Sequence, residues 1–296
     1  MSELFLPPML PWYAFYSTLA FLFGACMGSF LNVCIYRIPQ DMSVVVPRSH
    51  CPLCGKMIAW YHNIPIASFL ALGARCHYCR GKISSRYFLV ETLVASLFLL
   101  VWLKLDPLGY GPPLGLAAAG HWALVPVYWL VMAGLVLGTF VDFDHMIIPD
   151  RVTIGGIVAG LALSALVPAL HSATGPLQSL ARAGIGLAAG WGTLWLIGVV
   201  GRMMFRKDAM GFGDVKLMGA IGAFCGWRAV LFVIIFSSLF GSLVGVALVL
   251  LRKKDMQSRI PYGPWIALAA VTWILWGPRI WAMYIHLLVP PVPYVP

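Results

Sequence analysis

The chain has 296 residues, of which 61% are hydrophobic and only 10% are charged, and its mean hydropathy is +0.88. Soluble domains carry about a quarter charged residues, so this composition excludes a soluble globular protein and indicates a polytopic membrane protein. The net charge of +10 would suit a nucleic-acid partner, unless membrane topology explains it. The first residues show neither a basic region nor a small-residue cleavage site, so we expect the first apolar segment to stay in the membrane.

Eight apolar segments are long enough, or nearly so, to cross about 30 Å of hydrocarbon. They cover residues 11–33, 87–103, 122–141, 152–167, 184–200, 215–227, 230–251 and 264–276, and the sixth is short. If the N-terminus lies outside, all but four of the 20 lysines and arginines fall in cytoplasmic loops. The positive-inside rule therefore predicts an all-α protein of about eight transmembrane helices with N-out topology. It also explains the basic charge without a nucleic-acid partner.

The one sizeable polar loop, residues 40–86, contains two Cys-x-x-Cys pairs. Cys51 and Cys54 form the first pair, and Cys76 and Cys79 form the second. Two such knuckles can supply the tetrahedral thiolate set of a structural Zn²⁺ site. Two disulfides or four free thiols are the alternatives, and a cytoplasmic location disfavours disulfides. The sequence thus predicts a small cytoplasmic zinc-binding loop domain between helices 1 and 2.

Acidic residues are scarce, and four of the ten lie in two short stretches on the predicted cytoplasmic side. Asp142, Asp144 and Asp150 follow the third segment, and Asp214 opens the sixth. Two carboxyls that share a proton act as acid and base, and can activate water against a peptide bond. Asp142 lies nearest the apolar run and is the most readily desolvated. Asp150 could instead cap the next helix, and Asp144 could be a solvated loop acid.

Two glycines precede the last of these aspartates, in the string Gly211-Phe212-Gly213-Asp214. Gly211 and Gly213 leave the backbone free to bend and let another backbone approach the carboxylate. A Gly-x-Gly-Asp string alone is a weak signal, because a glycine turn with Asp214 as an N-cap would look the same. Lys216 could tune Asp214 electrostatically or simply extend to the membrane interface. The membrane context favours the functional interpretation.

Three polar residues lie near the cytoplasmic ends of the first two segments. Asn32 could bind a ligand or form an interhelical hydrogen bond, and Arg37 marks the interface. Glu91 is a functional candidate because it is ionisable within a span. It could instead pair with Arg86 or complement the positive start of its helix.

Glycines four residues apart recur in the later segments. This Gly-x-x-x-Gly spacing predicts close packing between helices. The pairs are 156/160, 186/190, 222/226 and 241/245.

These motifs together resemble the bacterial type IV prepilin peptidases, which are Gly-x-Gly-Asp aspartyl proteases. The resemblance covers nearly the whole chain. The motifs that carry it are Gly28-Ser29-Phe30-Leu31-Asn32-Val33 with Tyr36-Arg37, the cysteine loop with Asn63-Ile64-Pro65, Ser85-Arg86-Tyr87 through Glu91, Asp142-Phe143-Asp144-His145 through Ile148-Pro149-Asp150, Gly211-Phe212-Gly213-Asp214 with Lys216, and Pro261-Tyr262-Gly263-Pro264. The stretch 168–176, in an outer loop, is longer than the family pattern implies.

The resemblance implies a membrane endopeptidase that removes the leader of prepilins and pseudopilins at the cytoplasmic face. It also implies N-methylation of the new N-terminus with S-adenosylmethionine by the N-terminal part, although no glycine-rich nucleotide motif is present there. In family members the catalytic pair consists of the two aspartates that correspond to Asp142 and Asp214. Members that keep the four cysteines bind zinc with them. We expect the remaining candidates to support the peptidase site or to bind the methyl donor. The supporting set is Gly211, Gly213, Asp144, Asp150 and Lys216, and the methyl-donor set is Asn32, Arg37 and Glu91.

The expected organisation has four parts: a first helix (1–36), the four-cysteine zinc loop (37–86), a second helix with its outer loop (87–121) and the peptidase domain (122–296). The expected location is the bacterial inner membrane, with the active site facing the cytoplasm. The particular pilin substrate, the role of the zinc and the oligomeric state stay open, and a homodimer is one option.

Two other classes compete with this interpretation. A presenilin-like intramembrane protease without methyltransferase activity shares the Gly-x-Gly-Asp string, but the cysteine loop and the absence of a tyrosine beside Asp142 argue against it. An ion-coupled carrier could use the aspartates as a proton relay. A carrier would place them at mid-membrane within inverted repeats, and the sequence shows no such repeat.

Overall fold

The protein is helical in the part described by the structure, a computed structural model that covers residues 10–105, 107, 122–206, 210–251 and 261–288. No β-strand occurs within these ranges, only two isolated bridges in the cysteine loop. The α-helices are α1 Leu10–Arg37, α2 Ala67–Ala71, α3 Ser85–Leu105, α4 Leu124–His145, α5 Asp150–Leu166, α6 Pro176–Phe205, α7 Phe212–Leu250 and α8 Gly263–Leu288. The chain divides into two compact units, Met1–Pro149 and Asp150–Pro296.

In the first unit, helices α1 and α3 pack closely because two glycines of α1 face the backbone of α3. A Cβ at Gly24 would lie 2.8 Å from the Cα of Ala95, and one at Gly28 would lie 2.7 Å from the Cα of Glu91. Any side chain at these positions would separate the helices. This pair has the small-residue spacing of close helix contacts, and it is not among the four predicted glycine pairs.

The second unit uses the predicted glycine pairs in the same way. A Cβ at Gly186 would overlap the carbonyl group of Gly222, so α6 and α7 touch through their backbones. A Cβ at Gly160 in α5 would lie 2.9 Å from the Cβ of Ala223 in α7, so these two helices also pack closely. Close packing is thus confirmed for α5, α6 and the first part of α7.

Helix α7 is interrupted at Gly226, where φ is 78° and ψ is 173°. This backbone conformation strongly favours glycine, and the break it makes in α7 lies near the end of the sixth apolar segment. A helical carbonyl near the break, that of Ala223, lies 2.9 Å from the Nε2 of His171. Burial lowers the pKa of His171, so a neutral ring with its proton on Nε2 can donate this hydrogen bond. The guanidinium of Arg182 in turn donates to the carbonyl oxygens of His171 and Ser172.

Six helices among the described residues are long and apolar enough to cross a membrane: α1, α3, α4, α6, α7 and α8. The protein is therefore a multi-pass membrane protein. Helix α5 has 17 residues and is shorter than these six. A count of eight crossings requires α5 and both parts of α7 to span separately, and it stays a prediction together with the N-out topology.

Candidate active site and metal centre

The four predicted cysteines come together in the loop between α1 and α3. The Sγ atoms of Cys51, Cys54, Cys76 and Cys79 all lie within 4.8 Å of one another, and the Sγ atoms of Cys51 and Cys79 are 3.9 Å apart. A tetrahedral zinc with Zn–S bonds of about 2.3 Å needs sulfurs about 3.8 Å apart. The cluster therefore fits a metal ion, and the alternative of two disulfides is not what the structure shows, since all four thiols are free.

Both cysteine knuckles are built by the backbone in the same way. In the first, Cys51 N–H donates to Lys56 O (3.0 Å) and Gly55 N–H donates to Cys51 O (2.9 Å). In the second, Cys76 N–H donates to Gly81 O (2.8 Å) and Arg80 N–H donates to Cys76 O (3.0 Å). The residue after the second cysteine of each pair has a positive φ, 69° at Gly55 and 58° at Arg80. These turns point the two sulfurs of each pair toward one centre.

The thiols of the second knuckle differ in acidity. Backbone N–H groups of Cys79 and Tyr78 lower the pKa of Cys76 to about 7. The N–H of Gly81 opposes a rise at Cys79, but desolvation and the three neighbouring sulfurs outweigh it and raise that pKa to about 11. Four thiols this close cannot all ionise without a cation, because like charges at short distance repel. A divalent metal would remove this conflict.

Asp142 lies in the last turn of α4 and is buried, with 6% of its surface exposed. Its carbonyl accepts a hydrogen bond from the N–H of Met146, which adopts a left-handed conformation and ends the helix. The next residue, Phe143, is exposed, so the helix end buries one carboxylate beside an open surface. Asp144 and Asp150 are both exposed. Asp142 is therefore the most buried aspartate of its stretch, which agrees with the expectation that it is the most readily desolvated.

Arg86 of α3 holds the same turn of α4 from the side. Its Nη1 forms an ion pair with Asp144 (2.7 Å), and its Nη2 donates to the carbonyl of Phe140 (3.3 Å). The guanidinium also lies 5.2 Å from the centre of the Phe140 ring. Asp144 is therefore paired with Arg86 and is not a free loop acid. The alternative in which Arg86 pairs with Glu91 is wrong.

Asp214 lies in the first turn of α7 and is also buried, with 9% of its surface exposed. Its N–H donates to the carbonyl of Gly211 (3.2 Å). A Cβ at Gly211 would lie 3.0 Å from the Oδ2 of Asp214. Neither Gly211 nor Gly213 has a positive φ, so the expected freedom to bend is not used. At Gly211 the missing Cβ makes room for the carboxylate.

Lys216 and Asp150 form an ion pair that joins the starts of α7 and α5. The ammonium group also lies 5.3 Å from the centre of the Phe212 ring. Asp150 accepts a weaker hydrogen bond from the hydroxyl of Thr153 (3.4 Å). Lys216 is thus committed to Asp150, two residues from Asp214, and the pair fixes two helix starts beside that carboxylate.

The three methyl-donor candidates are buried, and two of them, Arg37 and Glu91, contact the backbone of the loop between α1 and α3. Asn32 donates to the carbonyl of Tyr87 (3.2 Å), as the interhelical alternative predicted. Arg37 donates to the carbonyls of Ser43 (2.9 Å) and Pro47 (2.6 Å). Both side chains thus donate to backbone carbonyls, and the methyl-donor role of the three residues stays a prediction.

Glu91 holds a strained turn that the sequence did not reveal. Its Oε2 accepts a hydrogen bond from the N–H of Ile66 at 2.7 Å. Ile66 has φ 63° and ψ −56°, and Ala67 N–H donates to Pro65 O at 2.6 Å. This is a γ-turn of the rare strained type, centred on a β-branched residue. No sequence pattern signals such a turn, because its stabilising carboxylate lies 25 residues further on.

These features define a class: a multi-pass membrane protein with buried aspartates at the ends of apolar helices and, in one polar loop, a cluster of four thiols that fits a metal ion. Residues 22–105 match the family model of the bacterial peptidase A24 N-terminal domain, and residues 129–246 match that of the type IV leader peptidase family. The chain belongs to the type IV leader peptidase family.

Relatives of similar length support this membership. The prepilin leader peptidase/N-methyltransferase of Aeromonas hydrophila is 36% identical over 300 residues, which cover 93% of this chain and 95% of the relative. The protein of the same name from Myxococcus xanthus is 37% identical over 95% of this chain and 80% of the relative. A third, from Pseudomonas putida, is 31% identical over 93% of this chain and 96% of the relative. No solved structure matches the chain significantly.

Proposed function

We propose that this protein is a membrane aspartic endopeptidase that removes the leader of type IV prepilins or pseudopilins and then N-methylates the new N-terminus. The observation that carries the proposal is similarity over more than nine-tenths of the chain to relatives named prepilin leader peptidase/N-methyltransferase. The location is the bacterial inner membrane, with the peptidase site open to the cytoplasm. Eight crossings with the N-terminus outside agree with the distribution of lysine and arginine.

The peptidase chemistry is assigned to Asp142 and Asp214. Both are carboxylates at helix ends, and both are buried. Burial disfavours two negative charges in one place, so a pair that shares one proton supplies a base for the attacking water and an acid for the leaving amine. Arg86 keeps the last turn of α4 in place, and the Asp150–Lys216 pair keeps the start of α7 in place. Gly211 leaves room for the Asp214 carboxylate.

The cysteine cluster is assigned to one structural Zn²⁺. Four thiolates close the coordination sphere, so the metal supplies folding energy to the loop and no open position for a reactant. The loop belongs with the N-terminal part of the chain. For the whole chain we retain the division into residues 1–36, 37–86, 87–121 and 122–296. Residues 108–121, the outer loop of the third part, lie outside the described residues.

The methyl donor is S-adenosylmethionine, on the strength of the relatives' name. Glu91 is the candidate best suited to a sulfonium cation, because it is the one carboxylate among the three; one of its oxygens accepts a hydrogen bond from the N–H of Ile66. We derive no step through the methyl donor. Asn32, Arg37 and Glu91 stay a prediction for its site.

Intact-mass spectrometry of a co-expressed prepilin tests the proposal. With the wild-type enzyme we expect loss of the leader together with the mass of one methyl group. Asp142→Asn and Asp214→Asn should each leave the prepilin uncut, whereas Asn32→Ala and Glu91→Gln should leave cleavage largely intact. A cut but unmethylated product would remove the methyltransferase assignment. An uncut product with the wild-type enzyme, for several prepilins, would contradict the peptidase assignment and favour the carrier.

A further inference from the structure

Between the two cysteine knuckles, the loop contains an uncharged stretch that reaches helix α3. Residues 57–74 include no lysine, arginine, aspartate or glutamate. Within this stretch the ring of Phe69 stacks on Phe88 of α3, with ring centres 5.2 Å apart. The N–H of Ile66 donates to the carboxylate of Glu91 on the same helix at 2.7 Å. The middle of the stretch therefore lies beside the first two turns of α3.

The length of α3 gives the depth of these contacts in the membrane. Helix α3, Ser85–Leu105, has 21 residues and rises about 31 Å, close to the thickness of the hydrocarbon layer. Glu91 lies about 9 Å beyond the start of this helix. Helix α1 agrees, because Gly28 faces Glu91 and lies about 14 Å before Arg37, the first charged residue of α1. The turn at Ile66 therefore lies within the membrane.

The backbone of this stretch satisfies its hydrogen-bond donors without water. An N–H group without a partner is strongly disfavoured at membrane depth. Carbonyl groups of residues 64–72 accept hydrogen bonds from the N–H groups of residues 67, 68, 70, 72, 73, 74 and 75. The N–H of Ile66, in the strained γ-turn, donates to Glu91 instead. Glu91 thus provides the acceptor that water would provide outside the bilayer.

Apolar side chains of the same stretch are exposed at this depth. Leu70 is 63% exposed and Ile64 is 46% exposed. Leu70 follows Phe69, which is level with Phe88 of α3. Exposed apolar side chains at the level of a membrane-spanning helix contact the acyl chains of the lipid, because water is absent there. We therefore take hydrocarbon to be the partner of this apolar face.

A pair of opposed cations lies where the chain leaves this stretch. Arg75 ends the stretch and forms an antiparallel bridge with Lys82. The backbone hydrogen bonds on either side of the bridge are both 2.8 Å, and their pattern is that of the closer type of antiparallel pair, with Cα atoms about 4.5 Å apart. Like charges directly opposite one another destabilise a pair of strands. This arrangement favours an anion close to both side chains.

The protein itself supplies no such anion. Residues 42–90 contain no aspartate or glutamate, and within the part of the chain that the structure describes neither Arg75 nor Lys82 forms an ion pair. Successive residues of an extended strand point to opposite faces. Arg75 therefore lies on the face opposite the thiol of Cys76 and does not neutralise the thiol cluster. The anion must come from outside the chain.

Lys82 lies at the height of the phospholipid headgroups. Only Ile83 and Ser84 separate it from Ser85, the start of α3, so the chain keeps it within about 10 Å of the hydrocarbon edge. The headgroup layer occupies about 5–8 Å on each side of the bilayer. Long basic side chains extend toward this layer. The phosphate of an anionic lipid is therefore within reach of both cations.

We propose that the cysteine loop docks on lipid. Residues 64–72 lie in the hydrocarbon beside α3, and Arg75 and Lys82 bind the phosphate groups of anionic phospholipids in the leaflet that the loop faces. Clusters of basic residues next to a spanning helix bind such lipids in this way. Spanning helices hold both ends of the loop at the membrane surface. This docking requires neither the peptidase nor the methyltransferase activity.

Photocrosslinking of the full-length protein tests the insertion of residues 64–72. Nanodiscs of phosphatidylethanolamine and phosphatidylglycerol carry variants with benzoylphenylalanine in place of Leu70 or Ile64. Leu89 of α3, 52% exposed, is the lipid-facing reference, and Leu53 of the first knuckle, 68% exposed, is the matched control. After irradiation, intact-mass spectrometry distinguishes the adduct of one phospholipid from a cross-link to a second copy of the chain or to a co-expressed prepilin.

We expect phospholipid adducts at Leu70 and Ile64 in a yield similar to that at Leu89 and severalfold above that at Leu53. Lipid adducts at Leu89 alone would overturn the insertion. Equal yields at Leu70 and Leu53 would overturn the depth. Cross-links to a second copy or to prepilin, in place of lipid, would replace lipid by that partner. Ile64 decides the matter if the Leu70 variant does not fold.

Native mass spectrometry of the retained lipid tests the cation pair. Arg75→Gln combined with Lys82→Gln should lower the affinity for phosphatidylglycerol about fivefold for each cation removed. The exchanged variant, Arg75→Lys with Lys82→Arg, keeps both charges and should keep the lipid. In a neutral detergent the glutamine variant should unfold at no lower temperature than the wild type, because it removes a repulsion. Unchanged lipid retention, or lower stability in neutral detergent, would overturn the anion site.

Discussion

Replacement of Gly211 by alanine tests how the carboxylate of Asp214 is positioned. The new Cβ would lie 3.0 Å from Oδ2, whereas an ordinary van der Waals contact begins near 3.4 Å. The carboxylate must therefore move by about 0.4 Å. A displacement of 1 Å at a reacting group can cost about 10²-fold in rate. A move of 0.4 Å should lower kcat about five- to tenfold, which corresponds to about 1 kcal/mol.

The same substitution should not weaken the fold, and this separates a local effect from general damage. Gly211 has no positive φ, so alanine fits the backbone and restricts the unfolded chain, which stabilises by about 0.4–1 kcal/mol. Prepilin cleavage rates and thermal unfolding in nanodiscs measure the two effects. Gly155→Ala in α5 is the matched control, because nothing lies within 4 Å of its Cβ. Unchanged kcat for Gly211→Ala would refute this account of the glycine.

Three further predictions follow from the same contacts. Arg86→Ala should lower kcat about three- to tenfold with little change in KM, because it loosens the turn that holds Asp142; a change in KM alone would contradict this. Cys76→Ser should abolish zinc binding measured by elemental mass spectrometry, whereas Cys26→Ser should leave one zinc per chain. Gly186→Ala should lower the unfolding temperature by disrupting the backbone contact between α6 and α7, at a cost of about 1–3 kcal/mol or more; Gly192→Ala, with open space at its Cβ, should not.

Long apolar segments and paired motifs were readable from the sequence because each rests on a local pattern. Helices α1, α3, α4, α6 and α8 follow from hydropathy, and the thiol cluster follows from the cysteine spacing. The sequence could not show that Gly226 breaks helix α7, because a glycine at this spacing is equally expected for close helix packing.

The sequence identifies the residues of the candidate site better than it identifies their hydrogen-bond and ion-pair partners. Asp142 and Asp214 stand out in the sequence because acids are scarce and both adjoin apolar runs, and both are buried at helix ends. The partners of Arg86 and Glu91 were not predictable, because each lies far away in the sequence. The γ-turn at Ile66 depends on a hydrogen bond to Glu91, 25 residues further on, which no local pattern encodes.

Cross-linking of the two aspartate positions tests the central claim that Asp142 and Asp214 form one site. In the protein lacking Cys26, Cys34 and Cys225, Asp142→Cys and Asp214→Cys are combined and treated with a short bifunctional methanethiosulfonate. Intact-mass measurement distinguishes one bridging reagent from two separate adducts. The account predicts a bridge in most molecules, and no bridge when Asp214→Cys is paired with Leu196→Cys. Two separate adducts at positions 142 and 214, with no bridge, would contradict the shared-proton pair.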